Sequence, residues 1–187
     1  MGVRATELRK GTVIDKDGDL LLITEYHHHT PGNLRAVIHV KAKSLRTGST
    51  TQMRLSSSDT LEVAYLDKKS CEYLYKEGSD RYVFMDTTSY EQFPISADLI
   101  GDQMGYVRAN TAVEITFHGT SPIGVELPPV VVLEVIEAEP AVKGNTATNV
   151  KKAAVVETGM EVKVPLHVTK GDQIKIRTSD GEFLSRA

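Results

Sequence analysis

His27-His28-His29 is the densest group of side chains capable of chemistry in this chain. Neutral imidazole is the commonest protein ligand for transition metals, so a metal reading is the first to weigh. On an extended strand His27 and His29 share a face and His28 points away, so only two could converge without help from another element. The surrounding residues favour a different chemistry. From Tyr26 to Ser58 there is no acidic residue, while Arg35, Lys41, Lys43, Arg46, Arg54 and His39 all lie within that stretch. Cations and imidazoles without acids suit contact with phosphates, and no metal site is expected. The competing reading is an edge strand that its charges keep from aggregating.

Other catalytic chemistry is hard to find. No Gly-rich phosphate loop, no Gly-x-Ser-x-Gly and no zinc-type cysteine spacing is present. The single Cys71 stands between Ser70 and Glu72, where a packed thiol is the default. Acids are plentiful, but none sits in a recognisable acid–base context. No catalytic residue, cofactor or enzymatic activity is expected.

Charge is unevenly distributed. The 187 residues carry a net −3, yet residues 1–64 hold nine Lys/Arg against seven Asp/Glu, leaving −5 for the rest. A uniformly basic nucleic-acid coat is therefore excluded, and contact must be local. No signal peptide and no apolar run of spanning length is legible, so the expectation is a soluble, cytoplasmic, monomeric protein without membrane contact.

The elements that must position the basic stretch read almost entirely as strands. Thr12-Val13-Ile14, the turn Asp15–Asp19 and Leu20–Ile23 form one hairpin. A longer hairpin turns at Thr30–Arg35, and its second strand alternates. Ala36, Ile38, Val40 and Ala42 line the core face, while Val37, His39, Lys41 and Lys43 stand outward. Strands follow at 51–55, 61–65, 72–75, 81–85, 112–117, 123–126, 130–136, 161–165, 173–177 and 182–184. Helical character is confined to 4–10 and 97–101. The aromatics Tyr73, Tyr75, Tyr82, Phe84, Tyr90 and Phe93 could stack bases, but barrel core is the simpler reading. Short, evenly spaced strands predict an all-β chain of three small barrels. Ser56–Thr60 and Leu127-Pro128-Pro129 mark the boundaries, giving domains at 1–64, 65–127 and 128–187. Each is small for an isolated core, so some burial between them is expected.

These residues carry a resemblance to bacterial elongation factor P along nearly the whole chain. Lys41-Ala42-Lys43-Ser44-Leu45-Arg46-Thr47-Gly48 resembles that family's basic strand and turn, and Tyr73-Leu74-Tyr75 with Phe84-Met85-Asp86 its second-domain hairpin. Leu127-Pro128-Pro129 resembles its junction, and Gly181-Glu182-Phe183-Leu184-Ser185-Arg186 its C-terminal signature. The resemblance implies an L-shaped tRNA mimic, with an SH3-like translation-factor barrel followed by two OB barrels. It implies binding to the ribosome between the P and E sites, with ribosomal RNA and peptidyl-tRNA as partners. It also implies relief of stalling at consecutive prolines. The implied tip near the peptidyl-transferase centre is Pro31, Gly32, Asn33, Leu34 and Arg35. Implied RNA contacts are Lys41, Lys43, Arg46, Arg54, Gly144, Asn145, Thr146 and Arg186. The alternative is a paralogue that keeps the barrels but serves another RNA or a regulatory partner.

The tip departs from the family pattern. In the best-known subfamily it reads Pro-Gly-Lys-Gly and its lysine is modified; here Asn33 occupies that position and Leu34 replaces the second glycine. Asn33 has no amine to acylate. Arg35 is the nearest candidate for the arginine modification of another branch, although it lies two residues further on. Asn145 likewise stands where that family usually has Asp. Pro31 suits the first central position of a tight turn, and Gly32 and Asn33 both tolerate positive φ.

Overall fold

The computed structural model describes residues 1–141 and 150–187. The chain divides into two compact units, Met1–Asp67 with Thr116–Gly124, and Lys68–Ile115 with Val125–Ala187. Its architecture is all-β, as the strand periodicity predicts.

The first sheet comprises β1 (Gly2–Arg4), β2 (Val13–Lys16), β3 (Asp19–His29), β4 (Val37–Ser44), β5 (Thr50–Ser56) and β6 (Thr60–Val63). Their antiparallel order is β1-β6-β2-β3-β4-β5. Ile38, Val40 and Ala42 point inward and pack with Ile14, Leu21, Ile23 and Met53. The β2–β3 turn is shorter than Asp15–Asp19 suggests. It is the pair Asp17-Gly18, both with positive φ (55° and 83°), the conformation that matches strand twist in a two-residue hairpin. The expected helix over 4–10 is a single 3₁₀ turn, Ala5–Glu7. Ala5 and Leu8 anchor it by complete burial.

Two five-stranded sheets follow. One comprises β7 (Asp67–Glu77), β8 (Arg81–Asp86), β9 (Gln92–Ser96), β10 (Ala112–His118) and β11 (Ser121–Glu126), in the order β11-β10-β7-β8-β9. The other comprises β12 (Val130–Ala138), β13 (Lys151–Val156), β14 (Glu161–Pro165), β15 (Gln173–Arg177) and β16 (Phe183–Arg186), in the order β14-β13-β12-β15-β16. The expected burial between these sheets is present. The 3₁₀ segment Gly101–Tyr106 packs on the last sheet, where Thr158 donates to the Gly105 carbonyl at 2.5 Å. A side chain at Gly105 would come within 3.0 Å of the Met160 sulfur. Arg108 completes the contact with an ion pair to Glu157 at 3.3 Å.

Besides the three-residue β1, two strands escape the sequence reading for local reasons. Strand β9 carries Pro94, which reads as a breaker but is tolerated because β9 is an edge strand. Strand β13 places Lys152 at an inward position beside Ala154 and Val156, which hides the alternation.

The aromatic-core expectation holds for Phe84, which is fully buried with the Tyr73 ring 5.4 Å away. It fails for Tyr75 and Tyr90, both exposed. An extra residue at Leu74 shifts the β7–β8 register, and Tyr75 lies beyond it. Tyr90 sits in the β8–β9 turn with φ +59° and is 71% exposed. Asp86 organises that turn by accepting the Thr88 and Ser89 amides, which together hold its carboxyl below the usual range. Burial pushes the Cys71 thiol up to about 11, so it is a packed, protonated group.

This contrast gives a stability prediction. Phe84→Ala should cost about 3–5 kcal/mol, as large-to-small core changes do. Tyr90→Asn should be neutral or stabilising by up to about 1 kcal/mol, because Asn tolerates positive φ at lower cost. Urea denaturation checks both, and a clear loss for Tyr90→Asn would show that its ring packs against the protein.

Candidate nucleic-acid interface

Strands β3 and β4 run as a long hairpin whose facing residues are set by one irregularity. Ile23 pairs with Ala42 and Glu25 with Lys41, leaving Thr24 as an extra residue. Its hydroxyl donates to the Lys41 carbonyl at 3.1 Å. Beyond this bulge the alternation reverses, so Glu25, His27 and His29 share the outward face with Lys41, His39 and Val37. Strand β5 extends the same rows, with Arg54 opposite His39 and Gln52 opposite Lys41. Glu25, His27, His39, Lys41, Gln52 and Arg54 line a recess of about 350 Å³.

At the tip the Leu34 amide donates to the Pro31 carbonyl at 2.9 Å, closing a four-residue turn. Pro31 therefore opens the turn, one position earlier than the sequence suggests. Gly32 takes the first central position with φ +48°, while Asn33 is outside the positive-φ set. Positive φ at that position alone is the II′ pattern, and Gly supplies it without steric cost. Asn33, Leu34 and Arg35 are all exposed, Leu34 at 72%.

The predicted cations are not equivalent. Lys41 lies 3.2 Å from Glu25, and Arg46 lies 3.9 Å from Asp19. Lys43 and Arg54 make no ion pair among the described residues. Arg46 belongs to a turn pinned by Ser44, whose buried hydroxyl donates to Asp19 and accepts from the Thr47 amide. The histidines are exposed, and among the described residues no group of three or more His, Cys, Asp or Glu could hold a metal. Sequence reasoning missed the His27–His39–Arg54 row, because the bulge at Thr24 has no signature in residue type.

Arg186 lies on β16, exposed, 3.7 Å from the Asp172 carboxylate. Gly144, Asn145 and Thr146 lie outside the described residues.

Comparison with known proteins bears on the whole chain. Residues 4–61 match the family pattern described as the elongation factor P KOW-like domain, 66–125 the elongation factor P OB domain, and 131–186 the elongation factor P C-terminal domain. The elongation factor P of Acidobacterium capsulatum is 40% identical over 187 residues, covering 100% of both chains. That of Chloroflexus aurantiacus is 40% identical over 183 residues, covering 97% of this chain and 96% of its own. The chain belongs to the elongation factor P family. It is a translation elongation factor, a class distinct from ordinary enzymes and one whose family implies the ribosome as partner. Among solved structures, the eukaryotic translation initiation factor 5A from Methanococcus jannaschii matches with a TM-score of 0.55 at 20% identity. It covers 67% of this chain and 95% of its own, and supports the fold alone. No helix among the described residues is long and apolar enough to cross a membrane.

The Glu25–Lys41 pair generates a prediction for this elongation factor P-family hairpin. Both groups are substantially exposed, so breaking the pair should change stability by less than about 1 kcal/mol. Glu25→Gln should instead tighten ribosome binding and steepen its log-salt slope by about 0.9, the increment of one additional phosphate contact. Pelleting across a salt series measures this, and an unchanged slope would mean the ammonium already serves as a free cation.

Proposed function

We propose that this factor binds the ribosome between the P and E sites, contacts peptidyl-tRNA and promotes peptide-bond formation at consecutive prolines. The carrying observation is the tip itself, where a closed turn presents three exposed side chains of different chemistry, Asn33, Leu34 and Arg35. Proline is a poor donor and acceptor because its ring restricts the geometry of attack. Help at that step consists of positioning the reactants, and the ribosome supplies the catalytic centre. A tip stiffened by its turn loses less entropy on docking than a flexible one.

In this reading residues 1–64 carry the tip, and 65–127 and 128–187 form the second and third domains. Pro31, Gly32, Asn33, Leu34 and Arg35 approach the peptidyl-transferase region. Lys43 and Arg54 meet RNA phosphates directly, and Lys41 and Arg46 do so after exchanging their acidic partners. Arg186 and residues Gly144, Asn145 and Thr146 serve contacts with the tRNA stem and the small subunit. The protein works as a cytoplasmic monomer. Asn33 contributes an amide in place of a modified amine, and Arg35 supplies charge without modification. Modification at Arg35 is the second reading.

Rescue of a polyproline reporter, in a strain lacking its own factor and any tip-modifying enzyme, tests the proposal. Wild-type protein should restore synthesis, and Arg35→Ala should lower rescue about tenfold, the loss of one charge-assisted contact of about 1.5 kcal/mol. Intact mass from the native host should equal the sequence mass; an addition mapping to Arg35 would favour the second reading. Ribosome binding without any rescue would point to the paralogue function.

A further inference from the structure

We infer that the cleft between Tyr82 and Arg108 binds one unpaired nucleotide, its base stacked on the tyrosine ring and its phosphate held by Lys76. The cleft shares no residue with the β3–β4 hairpin and goes beyond the ribosome-binding reading. Strands β7 and β8 place Lys76 directly opposite Tyr82, and Tyr73 lies on the same pair of strands, before the extra residue at Leu74. The Tyr73 and Tyr82 rings meet at 65° with their centroids 6.1 Å apart. The far wall comes from Arg108 and from Glu157 and Thr158 in the β13–β14 turn. The enclosed volume is about 510 Å³. Small-ligand sites run from roughly 300 to 1,000 Å³, and junctions between packed domains are favoured places for them.

Three features point to a nucleotide. First, both tyrosines are half-buried, and among the described residues neither hydroxyl has a hydrogen-bond partner. Among those residues no buried side-chain oxygen lacks a partner, so both hydroxyls reach solvent and are free to meet a base edge or a ribose. Burial, and secondarily Tyr82, hold the Tyr73 hydroxyl above its usual titration range, which keeps it a neutral donor. Second, the Lys76 ammonium lies over the Tyr82 ring, 5.6 Å from its centroid, where a base would stack. An exposed cation–π contact is weaker than base–aromatic stacking, so a base displaces the ammonium, which then meets the phosphate. Third, Arg108 engages Glu157 through one nitrogen at 3.3 Å and keeps the other donors of its fork. The same Glu157 oxygen accepts the Glu134 amide at 3.0 Å, which anchors the pair. Together Arg108 and Glu157 offer donors and an acceptor to a base edge. Lys76 and Arg108 against Glu157 leave one net positive charge, the counterpart of a single phosphodiester. The wall is preformed, because Thr158 donates to the Gly105 carbonyl and the Gly105 backbone packs against Met160. A preformed cleft loses less entropy on binding than one that must be ordered.

Photocrosslinking of the full chain to pentauridylate carrying a central thiouridine, mapped by peptide mass spectrometry, tests the site. Crosslinks should fall on Tyr73, Tyr82 or residues 104–108, and they should persist when Lys43→Gln and Arg54→Gln remove phosphate contacts from the hairpin. Fluorescence anisotropy of labelled pentauridylate in that double-substituted background measures the affinity of the cleft alone. Tyr82→Leu should weaken binding about tenfold or more, the loss of one base–aromatic stack. Lys76→Gln should reduce the log-salt slope by about 0.7, the single-strand increment for one phosphate. Lys76 is exposed, so its variant tests the site even where Tyr82→Leu fails to fold. Unlabelled UMP that competes as well as pentauridylate assigns the cleft to free nucleotides, and weaker competition assigns it to RNA. Crosslinks confined to β3–β5, no binding in the double-substituted background, or an affinity and salt slope unchanged by both cleft variants would overturn the inference. Each of these would leave the ribosome-binding reading standing.

Discussion

At Thr24, strand β3 carries one residue more than the strand opposite, and every side chain from Glu25 to His29 takes its direction from that extra residue. Before it, Leu21 and Ile23 point into the core; after it, Glu25, His27 and His29 point to solvent. A regular strand would have kept odd-numbered positions on the buried face, because side-chain direction repeats every two residues. The histidines would then stand on the side of Val40 and Ile38. The bulge lets one strand serve the core at its base and present a polar face above it, and the recess exists only because of that reversal.

The polar face is tempered as well as charged. Glu25, immediately before the acid-free stretch, and Asp19, at the start of β3, sit against Lys41 and Arg46. Exposed pairs of this kind add little stability, so their consequence is electrostatic. They lower the field of a hairpin that would otherwise attract any polyanion, and within the acid-free stretch they leave Arg35, Lys43 and Arg54 as the cations without an ion pair among the described residues. A chain of net −3 with such a surface confines its positive field to a few points.

Much of this was legible beforehand. Alternation from Ala36 to Lys43 gave the inward and outward residues of β4 correctly, since period two is a direct consequence of strand geometry. The motifs from Lys41 to Gly48 and from Gly181 to Arg186 identified the family that the whole-length relatives show. What stayed hidden involved partners distant in sequence. Nothing in the type of Thr24 announces a bulge, and His39 lies twelve residues from the histidine it faces. Tyr90 reads as a core aromatic until its turn is known, and Lys152 reads as a solvent residue until its strand is placed. In the tip, composition predicted a turn but misplaced Pro31 by one position, because Gly at the first central position competes successfully for it.

The central claim is that the bulged hairpin delivers its tip to the reacting end of peptidyl-tRNA. A photoreactive amino acid at position 33, activated on ribosomes stalled at consecutive prolines, tests this most directly. The account predicts a crosslink to the 3′-terminal nucleotides of the P-site tRNA, lost when the ribosome carries no P-site tRNA. Crosslinks confined to ribosomal protein, or to RNA remote from the acceptor end, would contradict it.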